Sequence, residues 1–350
     1  MQNKSIQIKN IYYMLTYAFQ TLRQNNYDEI AEEEFQNVKD LFSSILAKGV
    51  AQQIKQGLYK EYVTVNDNLS TLRGKIDINS TIKLKLQKKQ RLACEFDELS
   101  ENNIFNQIIK TTINLLLKQT EVKQKRKQEL KKVVLFFDRV EEINISTIHW
   151  NTLKFQRNNQ TYKMLLNICY FVLNGLIYTE TKGKYKIANF LDDQKMSALF
   201  EKFILEYYKR QYKGKISVNA SQIKWNYDEE LSTAIEFLPQ MRSDIMLQSK
   251  DKTLIIDAKF YSQSMQTGQF NKKTFHSHNM YQIFAYVKNC DIKGDGLVSG
   301  MLLYAKTDEE VTPNGEFMMS GNKISVKTLD LNLEFCEIEK TLNCIAKEIL

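Results

Sequence analysis

The sequence predicts a mixed α/β (α+β) protein in two parts, and three features carry that prediction. Helix-period apolar patterns fill much of the first half, with short β-branched runs between them. A later block runs helix, three strands, helix, strand, the order expected of one central sheet flanked by helices. Between Pro239 and Tyr261, two short strand patterns meet at a polar turn, which reads as a hairpin.

Element by element, residues 9–24 place Ile11, Met14, Leu15, Ala18, Phe19 and Leu22 at helical spacing. Residues 34–56 repeat the pattern. Tyr59 to Val65 alternates and is β-branched, so it reads as a strand. Leu72 to Ile78 reads as a second, turning at Arg73-Gly74-Lys75, and Arg91 to Phe96 as a third. Ile104 to Leu117 is a strongly apolar helix, with Ser100 as its expected N-cap. Residues 118–132 form a basic helical stretch, read as a solvated face. A further helix runs from about Gln160 to Leu176, and the domain boundary is placed at 155/156, in a polar stretch. Beyond it, helices are expected at Lys195 to Tyr212, Asn279 to Val287 and 333–348. Strands are expected at Ile216 to Trp225, Met241 to Gln248, Lys252 to Phe260 and Gly296 to Tyr304.

Composition narrows the function classes. Of 350 residues, 43% are hydrophobic and 26% charged, a globular balance, and 12 glycines with 2 prolines leave no long flexible linker. A net charge of +8 suits a polyanionic partner without requiring one. The 5 cysteines are scattered, with no CxxC pair, which points to reduced thiols in the cytoplasm. No apolar run approaches the roughly 18 residues of a membrane span, so no membrane partner is expected.

The chemistry lies in the hairpin. A turn centred on Lys250-Asp251 sets Asp244 opposite Asp257, and the strand period of two brings Lys259 to the same face. Ile245, Leu247, Leu254, Ile256 and Ala258 then share the other face, which is expected to be buried. The same register sets Arg242 opposite Lys259, an unfavourable like-charge pair. Two opposed carboxylates repel, and a divalent cation offsets that directly. Oxygen ligands suit Mg2+, with Mn2+ as a substitute. Such a cation lowers the pKa of a bound water, and Lys259 can position that water: together these are parts for phosphodiester hydrolysis. The alternative is a surface hairpin in which Lys259 simply pairs with Asp257.

Around the hairpin, Glu201 reads from the residues as an exposed helical acid pairing with Lys202 or Lys209. Gln282 and Tyr286 are four apart and share a helix face, suited to orienting the lysine, the nucleophile or the DNA backbone; the alternative is Tyr286 as a core aromatic with a hydrogen-bonded tip. His276 and His278 lack a third soft ligand, so they are read as loop residues rather than a zinc site. No GxxxxGK[ST] loop is present, so no nucleotide is expected to bind this chain.

Several segments resemble the McrC family, the nuclease subunits of the McrBC modification-dependent restriction systems. They are NIYYMLTYA at Asn10 to Ala18, LRGKID at Leu72 to Asp77, Arg242 to Ile245, Ile256 to Tyr261, and His276 to Tyr286 with its QxxxY pair. The resemblance implies a PD-(D/E)xK nuclease core with a central mixed sheet in residues 156–350, following a mixed helix/strand docking domain in residues 1–155. It implies a type IV restriction endodeoxyribonuclease subunit, cytoplasmic, that cuts double-stranded DNA carrying modified cytosine of the 5-methylcytosine type. Asp244, Asp257 and Lys259 would be catalytic. The metal set would be Asp244, Asp257, Ala258 and Glu201, with Gln282 and Tyr286 in support. Pro239 stands five residues before Asp244, a looser PD step than the family pattern. The implied partner is an McrB-like AAA+ GTPase ring, whose GTPase this chain would stimulate. The alternative is a catalytically inactive regulatory subunit that only stimulates that GTPase.

Overall fold

In the computed structural model, the described residues are 8–18, 35, 37–155, 160–180, 193–261, 263–267, 272–307 and 309–350. The expected helical positions Phe19 and Leu22, and the polar stretch at 156–159, lie outside them. The chain forms two compact units, one of Lys39–Leu173 and one of Met1–Val38 with Asn174–Leu350. These boundaries differ from the expected division at 155/156. The first helix, α1 (Ile8–Ala18), belongs to the unit with the C-terminal half.

In the Lys39–Leu173 unit, α2 (Val38–Gln56) leads to strand β1 (Glu61–Leu69). Next come β2 (Lys75–Ile76), α3 (Ile78–Leu86) and β3 (Leu92–Ser100). The three strands form a sheet in the order β1-β3-β2. The expected strand at Leu72 to Ile78 shrinks to two residues, because Asp77 caps α3 by accepting from Ser80 N at 3.2 Å. An aspartate directly before a helical pattern is the local signal of this start. In the same LRGKID segment, Gly74 sits at φ +66°, where a Cβ would lie 2.4 Å from Glu95 O. Arg73 stacks its guanidinium 4.0 Å from the Phe96 ring centre. The helix α4 (Ile104–Lys118) is capped by Asn103, not Ser100, through a bond from Asn106 N. Helices α5 (Gln124–Val134) and α6 (Gln160–Glu180) follow.

The other unit is built on a six-stranded mixed sheet. Its elements are α7 (Asp193–Gln211), β4 (Ser217–Asn219), β5 (Gln222–Ile223), β6 (Met241–Arg242), β7 (Ile245–Gln248) and β8 (Thr253–Lys259). They continue with β9 (Gln266–Thr267), β10 (Lys273–Thr274), α8 (Ser277–Cys290), β11 (Val298–Ala305), β12 (Gly315–Met319), β13 (Asn322–Leu329) and α9 (Phe335–Lys347). The strand order is β12-β13-β11-β8-β7-β4. Strands β8, β11 and β13 run parallel and the other neighbours antiparallel.

The β12–β13 hairpin was not anticipated. Its two-residue turn, Ser320 (φ 48°) and Gly321 (φ 88°), needs two left-handed residues, which the Ser-Gly pair supplies. Helix α8 lies on β11 so closely that a Cβ on Gly300 would fall 2.7 Å from Val287 and 2.8 Å from Ile283. Gly300→Val is therefore expected to cost about 1–3 kcal/mol through overpacking. A denaturant melt of the variant checks this, and an unchanged midpoint would show that the helix has room to shift.

The NIYYMLTYA segment fastens α1 within this unit. Asn10 is buried and donates 2.8 Å bonds to Leu331 O and Leu333 O. Tyr13 stacks on Phe335 at 4.2 Å, and Tyr17 meets Phe203 of α7 edge-on. Its role here is packing and backbone satisfaction.

Candidate active site

The expected register is the observed one. Ile245 pairs with Ile256 and Gln248 with Thr253, around a turn at 249–252 closed by a 3.0 Å bond from Ser249 N to Lys252 O. The apolar face is buried as expected: Ile245, Leu247, Leu254, Ile256 and Ala258 are all at most 1% exposed. The opposite face is not a surface, however. Met246, Ile255 and Asp257 are buried as well. Strand β8 lies between two neighbours with cover on both faces, which explains its near-continuous apolar run.

The first expected strand, Met241 to Gln248, is broken at Ser243-Asp244. Before the break, Arg242 pairs with Gln222 of β5. The unfavourable Arg242–Lys259 pair is thereby avoided: the two residues would have met only in an unbroken strand. At the break, the Asp244 carboxylate stands in for a ladder carbonyl and accepts from Ala258 N at 2.9 Å. Ala258 itself has no side-chain donor, so only its carbonyl oxygen can face a cation.

Lys259 Nζ stands 2.6 Å from Asp257 Oδ2. This is a charge pair, and that buried oxygen has no hydrogen-bond partner among the described residues. The ammonium also donates to Gln282 Oε1 at 3.3 Å, and Gln282 Nε2 donates to Tyr286 Oη at 2.8 Å. Helix α8 thus presents the Gln282–Tyr286 pair to the lysine, as their spacing predicts. Replacing Gln282 by alanine would free the ammonium from one of its two restraints. On the expectation that the chain cuts DNA, a roughly tenfold slower cleavage follows, and an unchanged rate in a cleavage assay would show that Asp257 alone positions the lysine.

Glu201 differs from its residue-based reading. It is half-buried on α7, accepts from Ser197 Oγ at 3.1 Å, and Lys209 pairs instead with Glu206. Burial raises its carboxyl above the usual range, and the nearby Asp257 charge adds to this. Ser197, one turn earlier on α7, was missed. A hydroxyl at i−4 from a helical acid was the available signal. His276 is the N-cap residue of α8 and His278 lies in its first turn, exposed.

The electrostatics centre on Asp244. Burial pushes its carboxyl up to about 8, and the negative charges of Asp257 and Glu201 add to the effect. For Lys259, burial pulls downward, but the charges of Asp257 and Asp244 prevail and hold the ammonium above its ordinary value. Charge on these acids is therefore mutually unfavourable, and without a further cation Asp244 keeps its proton near neutral pH beside the fixed ammonium. Among the described residues, no three His, Cys, Asp or Glu side chains are gathered as a metal cage. What is present is a carboxylate pair, one of whose oxygens, on Asp257, is charge-paired with Lys259, and Glu201 near enough to influence it. Hard oxygen donors of this kind fit Mg2+, which keeps several waters and needs only one or two carboxylates. A surface pocket of about 420 Å³ lies elsewhere, against β1 and β3, and none of these residues line it.

The five cysteines are free. No helix among the described residues is long and apolar enough to cross a membrane.

Comparison with known proteins agrees with the sequence resemblance. A curated protein of Escherichia coli (strain K12), the Type IV methyl-directed restriction enzyme EcoKMcrBC, is 28% identical over 354 residues, covering 100% of both chains. Two solved structures from Thermococcus gammatolerans are similar. A refined half-complex from a tetradecameric assembly of McrB AAA+ hexamers with bound McrC gives a TM-score of 0.49 at 17% identity, over 95% of this chain and 76% of that one. A cryo-EM structure of the McrBC complex gives 0.44 at 22% identity, over 58% of each. The family model described as McrBC 5-methylcytosine restriction system component matches residues 1–305. The chain belongs to that McrBC restriction system family.

Proposed function

We propose that this chain is the DNA endonuclease subunit of a GTP-dependent, modification-dependent restriction complex, with its active site at Asp244, Asp257 and Lys259 on a PD-(D/E)xK-type core. The carrying observation is the buried face where Asp257 and Lys259 stand 2.6 Å apart beside Asp244. Asp244 and Asp257 would hold Mg2+, with the Ala258 carbonyl and Glu201 beside them. The ion, when bound, acidifies a water and neutralises charge on the phosphate. Lys259 would position the attacking water and offset charge on the phosphate oxygens. Gln282, braced by Tyr286, gives the ammonium a second fixed contact besides Asp257. Glu201, kept in place by Ser197, orders water at the edge of the site.

The partner we propose is an McrB-like AAA+ GTPase ring, which would read the modified cytosine and supply GTP hydrolysis, since this chain has no phosphate-binding loop of its own. The Lys39–Leu173 unit, which holds most of residues 1–155, would dock on it. Copurification with the neighbouring AAA+ protein, followed by incubation with methylated and unmethylated plasmid, tests this reading. Cleavage of the methylated plasmid alone, requiring GTP and Mg2+, is expected. A complex that hydrolyses GTP and leaves methylated DNA intact would favour the purely regulatory subunit.

A further inference from the structure

Beside Lys259 lies a second polar cluster, which the carboxylate hairpin and the QxxxY pair do not use. Tyr304 of β11 is the register partner of Lys259 of β8. Tyr261 follows Lys259 by two residues. Asn279, one turn before Gln282 on α8, reaches between the two phenols. It is 2% exposed, and its amide lies 3.2 Å from Tyr261 Oη and 2.8 Å from Tyr304 Oη. The His276 ring packs against both tyrosine rings at centroid distances of 5.2 and 6.4 Å.

The orientation of this amide decides what Tyr261 can do. As placed, the nitrogen donates to Tyr304 and the oxygen accepts from Tyr261. That leaves the Tyr304 hydroxyl, on a side chain with 0% exposure, with no acceptor among the described residues. A buried O–H without an acceptor is costly, whereas an amide exchanges its two ends at no steric cost. The exchanged amide accepts from Tyr304 across 2.8 Å, the usual O–H···O length, and donates to Tyr261 across 3.2 Å, within the N–H···O range. Tyr304 is then satisfied. Tyr261, which is only half-buried, has its oxygen fixed by Asn279 and its own hydrogen left to give.

We infer that the Tyr261 hydroxyl is a further substrate contact, donating to a non-bridging oxygen of a DNA phosphate next to Lys259, and that Asn279 is its positioning residue. The inference rests on the nuclease reading above. A phosphodiester is the ligand that fits. The cluster offers one neutral donor beside one ammonium, the complement of an anionic group with two free oxygens.

The test uses the full chain with its AAA+ partner, GTP, Mg2+ and methylated DNA. Tyr261→Phe keeps the ring and its packing and removes only the hydroxyl. It is expected to slow cleavage about tenfold or more, and to leave the Mg2+-induced rise in melting temperature of the isolated chain unchanged. Asn279→Ala should slow cleavage comparably, and in the Tyr261→Phe background it should add less than about twofold, as expected of residues acting through one contact. Wild-type cleavage by Tyr261→Phe would overturn the inference. So would a loss of the Mg2+ response in that variant, which would mark the hydroxyl as part of the scaffold. Failure of the wild-type complex to cut would instead count against the nuclease reading itself.

Discussion

Lys259→Ala is expected to slow DNA cleavage by roughly a hundredfold to ten-thousandfold, the range that a proton-handling side chain commonly contributes. The ammonium is held by two groups, Asp257 at 2.6 Å and Gln282 at 3.3 Å, and both bonds fix its place rather than consume it on the surface. Asp257→Ala removes the acid that both pairs with the lysine and would hold the cation, so its loss should be at least as large. Neither substituted residue belongs to the Lys39–Leu173 unit. Stimulation of the partner's GTPase should therefore persist in both variants. Cleavage at wild-type rate by Lys259→Ala would remove the lysine from the chemistry. Joint loss of cleavage and GTPase stimulation, in a folded variant, would show that the two functions are not divided between the two units.

The second large effect concerns pH. Asp244 carries a carboxyl pushed up to about 8 in the folded chain, from an ordinary value of 3.8. The folded state therefore binds this proton more tightly than the unfolded state does. The stability linked to it is complete below pH about 4 and is lost as pH rises through about 8. Asp244→Asn removes the titration and keeps an acceptor for Ala258 N. Without added metal at pH 8, the variant is expected to be more stable than wild type by a few kcal/mol, read as about 5 °C or more in melting temperature. The difference should shrink towards pH 5. Mg2+ at pH 8 should raise the melting temperature of wild type by mass action and leave Asp244→Asn nearly unmoved. A wild-type chain equally stable relative to the variant at pH 5 and pH 8 would contradict the electrostatic account.

Much of this was legible in the residues. The turn at Lys250-Asp251 was marked by polarity, and the apolar positions on both sides fixed a register that the sheet keeps. The helix pairing of Gln282 and Tyr286 followed from their spacing alone. The break at Ser243-Asp244 was not legible, because it depends on β5 capturing Arg242, and that pairing partner lies some twenty residues away. The burial of the acidic face was also hidden: an acid and a lysine in a strand look like a solvent-facing edge until the parallel neighbour β11 and helix α8 are known. Glu201 was read as a surface acid for the same reason, since its surroundings come from strands that follow it. The family likeness implies a metal-site role for it, and that role belongs to the proposal. Two helix starts differ from their expected form: Asp77 caps a helix inside a segment that reads as a strand, and Asn103 caps where Ser100, three residues earlier, is equally able.

The account as a whole depends on Asp244 and Asp257 sharing one divalent ion. Diffraction from crystals of the full chain soaked in Mn2+, with data collected at the manganese edge, addresses this most directly. An anomalous peak bonded to both carboxylates, absent from the Asp257→Asn variant, is the predicted result. No peak there at saturating Mn2+, with Lys259 still seated on Asp257, would contradict it.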